Sequence, residues 1–306
     1  MQRVLPLYRQ GHQPTGIGAA AGPVGNCETY DARPARSSFP LHTTLTTLID
    51  RLDSPAVSGT DVIRWGCPVP SFGDLASARV ATLGLNPSNR EFVDDSGDEL
   101  QGISRRFHTL ASLGLASWEE ADARHLRLIL ESCCKYFLGN PYDRWFKRLD
   151  QVVAGAAASF YDASCTACHL DLIPYATVRK WTELTMRQRS LLLAIAADTL
   201  GLLLRDSPVR VLILNGRSVV ELFQDIAGIC LERQEMPAWS LDRRAKPDVV
   251  GVAYRGVVDA LSGIQLPHQI LILGYNHNLQ SSFGVTNEAI IAIRDWISRA
   301  VDEMAT

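Results

Sequence analysis

Four short apolar runs constrain the fold of this chain more than anything else in it: Arg79–Leu85, Cys168–Ile173, Val209–Leu214 and Gln269–Leu273. Their length and their leucine, isoleucine and valine content suit strands covered on both faces of a parallel sheet. Segments of helical period lie between them. Ser104–Leu113, Trp118–Phe137 and Tyr142–Val153 separate the first two strands, with Ser117 and Glu120 placed as a capping box for the second helix. Thr185–Leu204 crosses from the second strand to the third, Ser218–Ile226 follows the third, and Thr286–Val301 follows the fourth. Strand-like pieces around Val249–Tyr254 precede the last strand. The alternation predicts an α/β fold, a doubly wound three-layer sandwich around a central, mostly parallel four-stranded sheet.

Upstream, Gln10–Ser38 is rich in Gly, Pro, Ala and Ser without any period and reads as an extended arm. Leu41, Leu45, Leu48 and Leu52 then share one face of a short helix. The expected division is an arm with its helix over residues 1–60 and one α/β domain over residues 61–306.

Right-handed parallel connections bring the carboxyl ends of such strands to one edge, where open α/β sheets bind ligands. All four ends are polar here: Gly84-Leu85-Asn86, His169-Leu170-Asp171-Leu172, Asn215-Gly216-Arg217 and Tyr275-Asn276-His277. Any one of them is accounted for by a turn; four together predict a site. The first is the most pointed, because Gly84-Leu85-Asn86-Pro87-Ser88-Asn89 ends a buried strand abruptly. Asn86 stands there with a carboxamide able to hold a water, and Pro87 stiffens the backbone beside it. Asp171 is the second, since a carboxylate between Leu170 and Leu172 in a buried strand is costly without a partner.

Gly84-Leu85-Asn86-Pro87-Ser88 resembles the first active-site motif of the uracil-DNA glycosylase superfamily, in the Gly-x-Asn-Pro-Gly form of its mismatch-specific and single-strand-selective branches. Gly274-Tyr275-Asn276-His277-Asn278-Leu279-Gln280-Ser281-Ser282 resembles a divergent second motif, in which His-Pro-Ser or Asn-Pro-Ser precedes a wedge residue and Ser. The resemblance spans Ala76 to Trp296. It implies a base-excision enzyme in which Asn86 orients the attacking water and His277, with Asn276 as substitute, donates to the O2 of the departing base. Aligning on Leu279 places Tyr275 at the donor position instead. Leu279 and Gln280 would probe the duplex and fill the gap left by an extruded nucleotide. Ser88, Ser281 and Ser282 would hold phosphates. Phe92 stacks on the flipped base in this reading, or is a core aromatic. Arg105-Arg106-Phe107 resembles an Asn-Arg-Phe element of the mismatch-specific branch.

The strand matching that of Asp171 carries in the family an Asn that reads the Watson–Crick edge of uracil. A carboxylate accepts from the exocyclic amine of cytosine and repels O4 of uracil or thymine. The departure favours a cytosine-type base, with hypermodified phage cytosine, and hence a defence role, as one form of that expectation. Asp171 paired with His169 for structural reasons is the competing account.

The net charge of −3 argues against a passive nucleic-acid coat but not against an enzyme that grips a few phosphates. Seven cysteines, with Cys133 and Cys134 adjacent, suit reduced buried thiols better than a disulfide framework. Cys165-x-x-Cys168 has metal-ligand spacing but lacks the His-x-Glu and Pro-Cys-x-x-Cys context of a zinc deaminase, and no metal or other cofactor is expected. Leu191–Leu204, the longest apolar run, is interrupted by Asp198, and Met1–Pro6 lacks the apolar core of a secretion signal. The expectation is a cytoplasmic monomer acting on DNA, duplex or single-stranded, with no membrane partner. Two other readings stand beside it: a catalytically inactive module that recognises a modified base, and an α/β hydrolase of small nucleosides. The absent Gly-x-Ser-x-Gly elbow weakens serine-hydrolase versions of the latter.

Overall fold

The computed structural model describes residues 39–139, 143–241, 248–280 and 285–305. In chain order it contains α1 (Phe39–Asp53), β1 (Val80–Gly84), α2 (Leu110–Leu113), α3 (Ala123–Cys134), α4 (Asp143–Val153), β2 (Ala167–Asp171), α5 (Met186–Ile195) and α6 (Thr199–Arg205). There follow β3 (Val211–Asn215), α7 (Arg217–Ala227), β4 (Glu232–Glu235), β5 (Val252–Leu261), β6 (Ile264–Tyr275) and α8 (Asn287–Ala305). The arm expected over Gln10–Ser38 lies outside the described residues.

The fold is α/β with one mixed sheet, mostly parallel, in the order β2-β1-β3-β6-β5-β4. The four expected strands are its parallel part: β1 pairs with β2 and β3, and β3 pairs with β6. Two further strands widen the sheet from four to six, for β5 pairs antiparallel with β6 and β4 with β5. The hairpin β5–β6 turns through Ser262 and Gly263, both at positive φ. Such a two-residue turn matches the twist of paired strands, so this Ser-Gly pair was a readable hairpin signal. The parallel strands are buried along their length, as strands covered on both faces must be.

Leu41, Leu45, Leu48 and Leu52 of α1 are buried in the same core as the sheet, which makes this helix part of the globular unit rather than of an arm. Arg51 of α1 donates to the Ile195 carbonyl (3.0 Å) and to Thr199 Oγ1 (3.0 Å), and pairs with Asp198 (2.9 Å). A side chain that takes a helix carbonyl interrupts the ladder, and the helix expected over Thr185–Leu204 is accordingly two helices, α5 and α6. Upstream, Ser117 makes no capping bond; Asp122 does, accepting from Arg124 and His125, so α3 begins later than expected. The helix expected over Ser104–Leu113 shrinks to α2, because His108 and Thr109 pair with the Gly66–Cys67 backbone instead.

Candidate functional site

Parallel register places the polar strand ends side by side. Gly84 of β1 lies opposite Asp171 of β2, and Asn215 of β3 opposite Tyr275 of β6. The chain passes from β1 to β2 on one side, then returns to β3 on the other. The carboxyl ends of β1 and β3 therefore flank the point where the winding reverses, where such sheets leave a crevice.

Asn86 follows β1 at this point. Its Nδ2 donates to the Pro87 carbonyl (3.1 Å) and to Thr177 Oγ1 (3.0 Å), and Thr177 in turn donates to the Arg179 carbonyl (2.7 Å). Both partners of the amide are acceptors, which fixes which end of the carboxamide is nitrogen. Neither bond uses Oδ1, and the residue is half-buried, so this oxygen is presented as an oriented acceptor.

Asp171 lies over the end of β1. A Cβ added to Gly84 would stand 2.4 Å from Asp171 Oδ1 and 2.9 Å from His169 Nε2, so only glycine admits this approach. His169 Nε2 is 3.6 Å from the same Oδ1, and Nδ1 meets Thr82 Oγ1 at 2.7 Å. The Asp171–His169 pairing is thus present, at ion-pair rather than hydrogen-bond distance. Both residues are buried, with Phe72, Trp145 and Phe146 ringed about the imidazole.

Glu91 completes this group, and the sequence concealed it. Its carboxyl is 3% exposed; Oε1 accepts from Tyr136 Oη (3.0 Å), while Oε2 has no hydrogen-bond partner and lies 3.8 Å from Arg106 Nη1. Burial pushes the Glu91 carboxyl up to about 8, opposed by Arg106 and the Tyr136 hydroxyl and assisted by the charge of Asp171. Between Arg90 and Phe92 in a polar turn, nothing local marks Glu91 as buried. Asn215 is the other addition: Nδ2 donates to Gln280 Oε1 (2.9 Å), Gln280 Nε2 contacts the Trp145 carbonyl (3.5 Å), and Asn215 Oδ1 is buried without a partner. Its position at a strand end was legible, but its burial and missing partner were not. A run of contacts thus joins Asn215 at the end of β3 to Asp171 over the end of β1: Asn215, Gln280, Trp145, His169 and Asp171.

The second knot is placed otherwise than expected. Leu279 is fully buried in the core, so it is not a projecting wedge. Gln280 is engaged with Asn215 rather than free to probe a duplex. His277 is buried with Nε2 on the Trp239 carbonyl (2.7 Å), and burial lowers its pKa, so the proton of the neutral ring faces the backbone instead of a base. Asn276 accepts from Val252 N (2.9 Å) and donates to the Val250 carbonyl (2.8 Å), which spends its amide on the start of β5. Tyr275 is fully buried, its hydroxyl unpartnered and its pKa raised by burial. Gly216, at φ +99°, lets the backbone of Asn278 approach within 3.4 Å of where a Cβ would stand. Phe92 is a core aromatic, edge-on to Trp65 and tilted against Phe107. Ser88 is exposed beside Asn86, its hydroxyl capping the short turn at Arg90 N (3.2 Å). Ser281 and Ser282 lie outside the described residues.

Among the described residues no group of three or more His, Cys, Asp or Glu is placed to hold a metal, and no helix is long and apolar enough to cross a membrane. No family model matches the chain, and comparison with curated proteins finds no match.

Proposed function

We propose that this chain is a DNA glycosylase of the uracil-DNA glycosylase superfamily, with the doubly wound three-layer arrangement that goes with it. It would hydrolyse the N-glycosidic bond of a base turned out of the stack and leave an abasic site. The observation that carries the reading is Asn86: a half-buried carboxamide pinned through nitrogen, its Oδ1 unused, following the strand whose end Asp171 overlies. In the reaction Oδ1 accepts a hydrogen bond from water and aims its lone pair at the anomeric carbon. The glycosidic bond breaks with its electron pair moving onto the base, water oxygen bonds to the sugar cation, and the proton this water sheds ends on the departed base, which leaves a neutral base and the hydroxyl of an abasic sugar. A carboxylate at Asp171 accepts from an exocyclic amine, which selects cytosine-type bases, modified phage cytosine among them, over uracil. The enzyme acts as a cytoplasmic monomer without cofactor.

A second reading is favoured by one specific observation. His277 and Asn276, the expected donors to the base, are both committed to backbone groups. A module that recognises a modified base without excising it needs no such donor.

Labelled DNA carrying uracil, mismatched thymine, cytosine, hydroxymethylcytosine or its glucosylated form separates these readings. Wild type and Asn86→Ala are incubated with each, in single strands and duplexes, and alkali-labile sites are counted on a gel. Release of a cytosine-type base, lost in the variant, is the expected result. Release of uracil alone would keep the family and remove the Asp171 argument. No abasic site with any substrate, together with retained affinity for modified DNA, would leave the recognition module.

A further inference from the structure

The polar side chains at the ends of the three adjacent parallel strands offer acceptors. In the order β2-β1-β3 these are Asp171, Asn86 just beyond β1, and Asn215. Both carboxamides give their nitrogen to the protein, Asn86 to Pro87 and Thr177, and Asn215 to Gln280. Asn86 Oδ1 is left unused and Asn215 Oδ1 is buried without a partner. Asp171 is the sharpest case. It is 5% exposed, yet among the described residues no N–H or O–H donates to either carboxylate oxygen, and His169 Nε2 stands 3.6 Å from Oδ1. A carboxylate so buried that accepts no hydrogen bond is costly to keep, which points to donors that arrive with a ligand.

The expected donors to a base are spent elsewhere. His277 and Asn276 serve backbone groups, and the Tyr275 hydroxyl at the end of β6 is sealed in the core. A base that leaves as an anion needs donors where its charge arrives, and a carboxylate on its edge repels that charge. Neutral cytosine also matches Asp171 poorly, because its 4-amine donates while the adjacent N3 carries a lone pair. A proton on N3 turns this edge into two neighbouring donors, which the two oxygens of a carboxylate accept together.

We propose that Asp171 takes the cytosine-type base in its N3-protonated form, so that the base departs from the sugar as a neutral molecule. The assignment rests on the glycosylase reading above and deepens it. N3 takes a proton from solvent before the bond breaks. The glycosidic bond then breaks with its electron pair going to N1, which cancels the positive charge on the base. Water adds to the sugar cation, and the proton it sheds replaces the one taken up. No donor to O2 is required, so excision is compatible with the commitment of His277 and Asn276 to the backbone. Among the described residues, the titratable groups that bear on Asp171 are His169 from its own strand and Glu91 from the turn after β1, with Arg106 and Tyr136 behind Glu91. Phe72, Trp145 and Phe146 about the imidazole carry no charge.

Single-turnover base release by the full chain, followed from about pH 5 to about pH 9, tests it. The oligonucleotides carry one cytosine, hydroxymethylcytosine, uracil or 3-deazacytosine, which keeps the amine and O2 but has C–H in place of N3. Release of cytosine or hydroxymethylcytosine is expected to fall about tenfold per unit of rising pH, and 3-deazacytosine to leave at least about a hundredfold more slowly. Glu91→Gln and His169→Gln are expected to keep the slope, which assigns the proton to the base rather than to either side chain. Asp171→Asn, checked for folding by circular dichroism, is expected to flatten it and to slow release at least about a hundredfold. A rate that does not fall with pH would overturn the proton on N3 and leave the glycosylase reading standing. So would 3-deazacytosine leaving as fast as cytosine, or a slope lost in Glu91→Gln or His169→Gln. Release of uracil alone would remove this assignment and keep the glycosylase. No release of any base would overturn both.

Discussion

The turn after β1 and the knot after β6 carry similar polar side chains and spend them differently. Around Asn86 the local bonds fix orientation and leave polar atoms over: Asn86 Oδ1 is unused, and Glu91 Oε2 is buried without a hydrogen bond. Around His277 the side chains serve the backbone, tying β5 and the 237–239 turn to the end of β6. A polar cluster at a strand end is therefore either a site or a clasp, and residue type does not distinguish them. What distinguishes them is that half-buried Asn86 keeps an unused acceptor, whereas Asn276 and His277 are committed to backbone groups and the spare Tyr275 hydroxyl is fully buried.

Substitutions sharpen this contrast, the largest effect first. Asn86→Ala is expected to lower base release by about 10²- to 10³-fold with the melting temperature nearly unchanged, measured by gel assay and thermal melting. His277→Ala reverses that pattern: it leaves the Trp239 carbonyl unpaired and a cavity behind, so stability falls by about 2–3 kcal/mol. If both variants lose chemistry equally at unchanged stability, the distinction between site and clasp is wrong.

Leu279→Ala is expected to cost about 2–5 kcal/mol by urea unfolding, the range for a core leucine; a solvent-facing wedge would cost almost nothing. Glu91→Gln gives a pH signature. The folded carboxyl titrates near 8 against an ordinary 4.5, so between those values the folded chain holds a proton that the unfolded chain has lost. Stability is then complete below the lower value and falls as pH rises through the upper one. The variant removes the fall, and its advantage over wild type should grow as pH rises and level off by roughly pH 9. Tyr275→Phe is the smallest expected effect. Its hydroxyl is buried and unpartnered, so removal should be neutral or stabilising by up to about 1 kcal/mol, whereas a hydroxyl used on a substrate would cost activity.

The parallel strands, the α1 face and the common edge of the polar strand ends were legible from the order and spacing of apolar runs. Burial on both faces leaves a strand few choices other than apolar side chains, and parallel strands joined by right-handed crossovers must end on one side. The Asn86 turn was legible for a similar reason, since Gly, Asn and Pro in that order break a strand locally. Less visible were the partners that come from far along the chain. Arg51 splits α5 from α6, Tyr136 and Arg106 enclose Glu91, and Trp145 joins Gln280 to His169. Leu279 and Phe92 look like ligand-facing residues beside polar motifs, yet both are in the core. Local pattern decides where a strand starts, stops and exposes a polar end, because those are properties of neighbouring residues. Tertiary packing alone decided that Glu91 is buried, that Oδ1 of Asn86 is left unused and that His277 is occupied, because hydrogen-bonding capacity is consumed by whatever the fold brings alongside.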